Sequence, residues 1–231
     1  MLAAWLKKHY PFIWWSLLLL FGVPATSLLY HFFQGSLGIN PLEVLMDTTG
    51  KWALIMLLVT LAMTPLRRGL VKLSRYLHSS YGKRLSDWNW IIRLRRMIGN
   101  YSFFYAGLHL FVFLHFDIDW SWVSFVKEVQ EKPYIFAGAT AFLLLVPLAA
   151  TSTDKMMRRL GKNWRRLHRL VYLIPVIVLL HFWWQVKVGV FTPWPYTVLV
   201  VLLLGYRIVT HYNWVIVKSA DDGMEVPERE S

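Results

Sequence analysis

No cysteine occurs anywhere in the 231 residues. That absence excludes disulfides, thiolate-held iron–sulfur clusters, covalently attached c-type haem, thiol nucleophiles and cysteine-rich zinc sites. Charge is also scarce: only 16% of the residues are Asp, Glu, Lys or Arg, and 13 acids face 25 basic residues, a formal charge of +12. A glycine-rich strand–helix fingerprint is missing, so nicotinamide-nucleotide binding by this chain is not expected. No internal repeat is visible. Any redox or metal chemistry must therefore use histidine or a bound cofactor.

Apolar residues are abundant, at 56% of the chain with a mean hydropathy of +0.42, too many for an ordinary soluble or disordered chain. Six apolar stretches can be marked, at 12–32, 52–66, 97–116, 134–151, 168–186 and 194–214. Most approach the roughly 20 residues that a helix needs to cross a hydrocarbon core. The second is short, and is expected to begin earlier, near Thr48, or to be met by local thinning of the bilayer. The first reads as a membrane helix rather than a cleavable signal, because its apolar run is long and no small-residue cleavage site follows.

The basic residues fall on one side. With the N-terminus in the cytoplasm, the inner segments hold 21 of the 25, including nine from Arg67 to Arg96 and six from Lys155 to Arg166. The outer loops keep Lys51, Lys127, Lys132 and Lys187 beside six acids, the bias expected of an inner-membrane protein with positive-inside topology. Lipid anchoring thus accounts for nearly all of the charge, and a nucleic-acid partner is not expected. The fold class expected is an all-α integral membrane protein, a six-transmembrane-helix bundle with both termini cytoplasmic. Its organisation is a cytoplasmic N-terminus at 1–11, a membrane domain at 12–214 and a disordered cytoplasmic tail at 215–231, where the sequence turns polar and acidic. Tryptophans cluster at span ends, as interfacial anchors do.

Transporters and proton pumps usually place carboxylates within their spans, and none of the six stretches contains Asp or Glu. Histidine is there instead: His109 in the third, His181 in the fifth and His168 at the start of the fifth, with His31, His115 and His211 nearer span ends. His109 lies seven residues and His181 five residues before the outer end of its span, so their heights differ by only about 3 Å. The two are placed to face each other across one porphyrin. His168 is thirteen residues before His181, roughly 20 Å lower, too far to share an iron. On an ideal helix thirteen residues turn about 1300°, which puts the two on different faces. Pro175 lies between them, and a bend is predicted near it.

Three stretches carry a resemblance: GKWALIMLLVTLAMTPLRR, RRMIGNYSFFYAGLHL and TSTDKMMRRLGKNWRRLHRLVYLIPVIVLLHFWWQVK. The chain resembles the MsrQ family, haem-binding membrane subunits of bacterial periplasmic methionine-sulfoxide reductase systems, over about 35–188. The wider group is the ferric-reductase-like membrane domains, in which histidine pairs on the third and fifth helices hold two stacked b haems. His168 and His181 keep the fifth-helix spacing, and His109 matches the outer ligand of the third. The inner position, fourteen residues before His109, is Arg95. The resemblance therefore implies one outer haem b between His109 and His181, with His168 as the candidate for a second.

The same resemblance implies FMN as a further cofactor, and electrons taken from the quinone pool or a cytoplasmic flavin reductase. They would be delivered outward to MsrP, a periplasmic molybdopterin-dependent partner that reduces methionine sulfoxide. No catalytic residue is assigned to this chain. Arg95, Arg96 and Arg165 are the candidates for an FMN phosphate or haem propionates, and the outer segments 34–50 and 117–132, with Trp120 and Trp122, for the partner surface. Two other readings compete: a self-contained ferric or quinone reductase, which would turn over without a protein partner, and a transporter or assembly factor in which the histidines only pack.

Overall fold

A computed structural model describes residue 5 and residues 8–79, 81–186 and 192–222, the stretch 212–222 by its backbone alone. Among the described residues it is helical without strands. The helices are α1 (Tyr10–Phe33), α2 (Pro41–Tyr76), α3 (Asn89–Val112), α4 (Trp122–Glu131), α5 (Pro133–Ala150), α6 (Asp154–Leu160), α7 (Lys162–Leu167), α8 (Ile174–Gln185) and α9 (Trp194–Asp222). Among the described residues, six helical segments are long and apolar enough to cross a membrane, and the third and fifth of them join short turns to α3 and α8. The chain is a multi-pass membrane protein.

Why α1 and α2 end where they do is local chemistry. After α1, Gly35 takes φ +63° while the Gly35 and Ser36 N–H groups donate back to the Phe32 and His31 carbonyls, the left-handed stop that glycine permits most cheaply. After α2 the same pattern recurs with His78 at φ +48°, donating to Arg75 while Ser79 donates to Ser74.

The second span is longer than its apolar run predicts. It begins at Pro41, whose fixed φ suits a first turn, and continues past Leu66 to Tyr76, 36 residues in all, or about 54 Å. Arginine and lysine are good helix formers, so the change to basic residues at Arg67 ends the apolar stretch without ending the helix. The expected outer loops are likewise partly helical, since α2 takes up 41–50 and α4 most of 117–132. At the other terminus α9 runs through Asp222, into the expected tail; no glycine or proline interrupts 214–222, and Gly223 is the first breaker. The rest of that tail, 223–231, lies outside the described residues.

The helices pair most extensively as α2 with α3 and α5 with α8. One buried cluster joins α1, α2 and α3 through Ala25, Met56, Ile98 and Tyr105; another joins α2, α5 and α8 through Leu57, Leu61, Leu145 and Ile174. Lipid is as apolar as these side chains, so hydrogen bonds between helices add what burial cannot. The Tyr105 hydroxyl donates to the Phe21 carbonyl at 2.6 Å, Tyr101 to Leu18 at 2.5 Å, and Ser102 to Ala53 at 2.9 Å. Tyr105→Phe should cost about 1 kcal/mol in SDS unfolding; no measurable loss would mean that the latch carries no stability.

Where a bend is predicted near Pro175, the chain changes its helical form. His168–Tyr172 is a 3-10 segment, and Pro175 stands in the first turn of α8. Proline offers no N–H to the Val171 carbonyl four residues earlier, so the chain tightens to i→i+3 bonding there. Five residues turning by about 120° instead of 100° add about 100° to the rotation, which brings His168 and His181 within roughly 40° of one face. Both histidines do reach α5 and the residue that caps it, His181 at Tyr134 and His168 at Thr151.

Candidate functional site

Four helices converge on His109 and His181. His109 projects from α3 and His181 from α8, and their ring centroids lie 6.0 Å apart with the planes at 87°. The ring of His109 meets α2 near its Pro41 end, where its Nδ1 lies 2.9 Å from the Met46 carbonyl. The ring of His181 meets α5 near its Pro133 end, with Nδ1 2.6 Å from the Tyr134 carbonyl. A carbonyl oxygen only accepts, so each Nδ1 carries the proton and each Nε2 keeps its lone pair. Thr49 completes the His109 side: its buried hydroxyl donates to the Leu45 carbonyl at 2.7 Å and lies 3.3 Å from Nδ1.

This donor set suits a metal. Ligating histidines usually give the second ring N–H to a carbonyl, which fixes the tautomer and raises the basicity of the ligating nitrogen. Two imidazoles on opposite sides of one iron stand with centroids roughly 6 Å apart, the sum of two metal–nitrogen bonds of about 2 Å and two half-rings, and the observed separation is 6.0 Å. No group of three or more His, Cys, Asp or Glu with metal-binding geometry occurs among the described residues.

His168 is differently held. Its Nε2 lies 3.0 Å from the Thr151 hydroxyl, which itself donates to the Pro147 carbonyl at 2.6 Å. The hydroxyl proton being used, His168 donates and Thr151 accepts. Trp164 stacks on the imidazole with centroids 4.0 Å apart, and its indole N–H donates to the Thr151 carbonyl at 3.0 Å. The Nε2 of His168 is thus engaged by Thr151.

Around His168 the basic end of the bundle opens into a cavity of about 2000 Å³ lined by seven arginines, among them Arg95, Arg96, Arg165, Arg169 and Arg207, with Asp154 as the one carboxylate among the described residues that line it. The structure therefore brings the three predicted arginines to one space with His168. Arg96 is paired with Asp154, and the guanidinium beside it holds that carboxyl below the usual range. The pair is exposed, so it adds little to stability.

Sequence reasoning passed over Arg207. It lies in α9 within the sixth span, and Pro65 accounts for its placement there. Proline has no N–H, so the Leu61 carbonyl lacks its helical donor, and the Arg207 guanidinium supplies one at 3.3 Å. The same group donates to Thr64 at 2.9 Å and to the Tyr172 hydroxyl at 2.7 Å, while its Nε is buried without a partner. An arginine within an apolar span was the available signal. The histidines nearer span ends have local duties: His31 pairs with Ser36 at 2.8 Å, and His115 accepts from the Trp120 indole at 3.1 Å.

The model of the family described as "Ferric reductase like transmembrane component" matches residues 49–179, more than half of the chain, which places the protein in that class of membrane domains. A protein-methionine-sulfoxide reductase heme-binding subunit MsrQ of Xanthomonas campestris pv. campestris (strain B100) is 45% identical over 177 residues, 76% of this chain and 74% of the relative. The proteins of the same name from Herminiimonas arsenicoxydans (45% identical, 71% of this chain and 68% of the relative) and Xanthomonas euvesicatoria pv. vesicatoria (strain 85-10; 43%, 80% and 80%) are similar to a like degree. The chain belongs to the MsrQ family within the ferric-reductase-like group. No solved structure matches it.

Proposed function

We propose that the chain is the membrane electron-transfer subunit of a methionine-sulfoxide reductase system and holds a haem b between His109 and His181. One observation carries the reading: two imidazoles from different helices stand 6.0 Å apart, each tied through Nδ1 to a carbonyl of a further helix, with both Nε2 lone pairs left for iron. Haem bound there supplies one-electron chemistry. The relatives are named as heme-binding subunits of a protein-methionine-sulfoxide reductase, which supports the same assignment.

The basic end faces the cytoplasm of a bacterial inner membrane, by the positive-inside rule, and the histidine pair lies toward the periplasmic face. The arginine-lined cavity at the basic end suits an anionic cofactor: Arg95 and Arg165 are placed to receive the phosphate of FMN, or the carboxylates of a second haem beside His168. The quinone pool or a flavin reductase donates on that side. On the other, the molybdopterin subunit MsrP accepts and carries out sulfoxide reduction.

The test is the detergent-purified full chain, oxidised and dithionite-reduced, with haem quantified per chain, then mixed with a quinol and with MsrP. A reduced low-spin b-type spectrum that quinol or a flavin reductase generates, and that oxidised MsrP discharges, is the expected result. Colourless protein after expression with haem supplied would end the reading. Ready oxidation by ferric complexes with no response to MsrP would favour a self-contained reductase.

A further inference from the structure

Both histidines of the pair lie against a glycine, and in each case the carbonyl that the ring bonds belongs to the residue four positions before that glycine. A Cβ at Gly50 would come within 3.1 Å of His109 Cε1 and 3.2 Å of its Nδ1, and the ring bonds Met46. A Cβ at Gly138 would come within 2.9 Å of His181 Cε1 and 2.8 Å of its Nδ1, and the ring bonds Tyr134. The geometry is that of a helix surface: the carbonyl of residue i lies beside the Cα of residue i+4, so an imidazole whose Nδ1 reaches that carbonyl lies where a side chain at residue i+4 would press on the ring. The device appears once in the α2–α3 pair and once in the α5–α8 pair, and the two rings that it holds are crossed at 87°.

We propose that Gly50 and Gly138 are positioning residues that set the planes of the His109 and His181 imidazoles, and so would set the electronic state of an iron that the two rings hold; this rests on the haem reading above. Crossed imidazoles leave the two iron dπ orbitals that they contact nearly degenerate, whereas parallel rings split them. A low-spin ferric centre with crossed rings therefore gives one dominant high-g resonance, and one with parallel rings gives a rhombic triplet. The glycines do not touch the iron. They act through the ring that each one admits, and Gly138 acts more strongly, because the contact there is closer and the ring is also fixed by its 2.6 Å bond to Tyr134.

The experiment is electron paramagnetic resonance and redox titration of the oxidised holoprotein for wild type, Gly138→Ala and Gly50→Ala, with Gly107→Ala and Gly205→Ala as controls, since no atom lies within 4 Å of a Cβ at either control position. The expected result is a dominant high-g signal in wild type and both controls. Gly138→Ala should turn the signal rhombic or high-spin, move the midpoint potential and weaken haem retention on the order of ten-fold, with Gly50→Ala moving the same way by less. Haem-loaded variants with the wild-type resonance and potential would overturn the proposal while leaving the haem reading intact, and wild-type protein without haem would overturn both. Because Gly138→Ala can also destabilise the fold, a thermal cycle accompanies the spectra. The loss of stability in Gly138→Ala should largely vanish in a His181→Ala background; an equal loss in both backgrounds would show that the glycine does not act through the ring.

Discussion

Purified His181→Ala should lack the reduced b-type spectrum of the wild type, and His109→Ala should lack it equally, while His168→Ala keeps most of it. The asymmetry follows from which nitrogen each ring presents. His109 and His181 give their Nδ1 protons to the Met46 and Tyr134 carbonyls and hold their Nε2 lone pairs ready on facing helices. His168 gives its Nε2 to Thr151 and is covered by Trp164. Removing one of a facing pair leaves an iron with a single protein ligand, and the loss in haem affinity should exceed the ten- to hundred-fold, roughly, that is typical when only a supporting group of a metal ligand is removed. Haem per chain and the pyridine haemochrome of each variant decide the matter. Retention of a low-spin spectrum in His109→Ala would remove the pair from its assigned role. A loss of half the haem in His168→Ala would establish a second site in the arginine-lined cavity.

Arg207→Ala is expected to cost about 2–3 kcal/mol in SDS unfolding, among the largest effects of any substitution outside the histidine pair. The guanidinium serves three acceptors on two other segments, the Leu61 carbonyl and Thr64 of α2 and the Tyr172 hydroxyl, and alanine leaves all three without that donor. One of those acceptors exists only because of Pro65. In a Pro65→Ala background the new N–H can serve Leu61, so the cost of Arg207→Ala should fall by about 1 kcal/mol. An identical cost in both backgrounds would mean that the arginine contributes by packing or charge, not by answering the proline.

Much of this architecture is legible in the chain itself. Six apolar runs appear as six spans, because a helix that crosses lipid must be apolar over most of its length and satisfy its own backbone. The equal heights of His109 and His181 follow from counting residues inward from span ends, and the structure sets their rings 6.0 Å apart. Helix ends were harder to read. Apolarity marks where a chain can enter lipid, whereas helix termination depends on capping and backbone conformation, so α2 runs from Pro41 to Tyr76 where the apolar run covers only 52–66. A break in regular helix near Pro175 was expected, but its form was not: the 3-10 segment at His168–Tyr172 turns each residue further and so restores a common face that an ideal helix would deny.

The amino-acid sequence by itself determined the membrane class, the spans, the sidedness of the charge and the two histidines of matching depth, since each depends on composition and on distance along one helix. Only the tertiary structure decided what those histidines present. A tautomer is set by the acceptor that the other nitrogen meets, and here each acceptor is a carbonyl brought from a different helix: Met46 to His109, Tyr134 to His181. Gly50 and Gly138 are ordinary glycines in apolar helices until those helices pack, and Arg207 is a lone charge until Pro65 of α2 leaves it a carbonyl to bond. Such partners lie tens of residues apart in the chain, and no local pattern records which of them will meet.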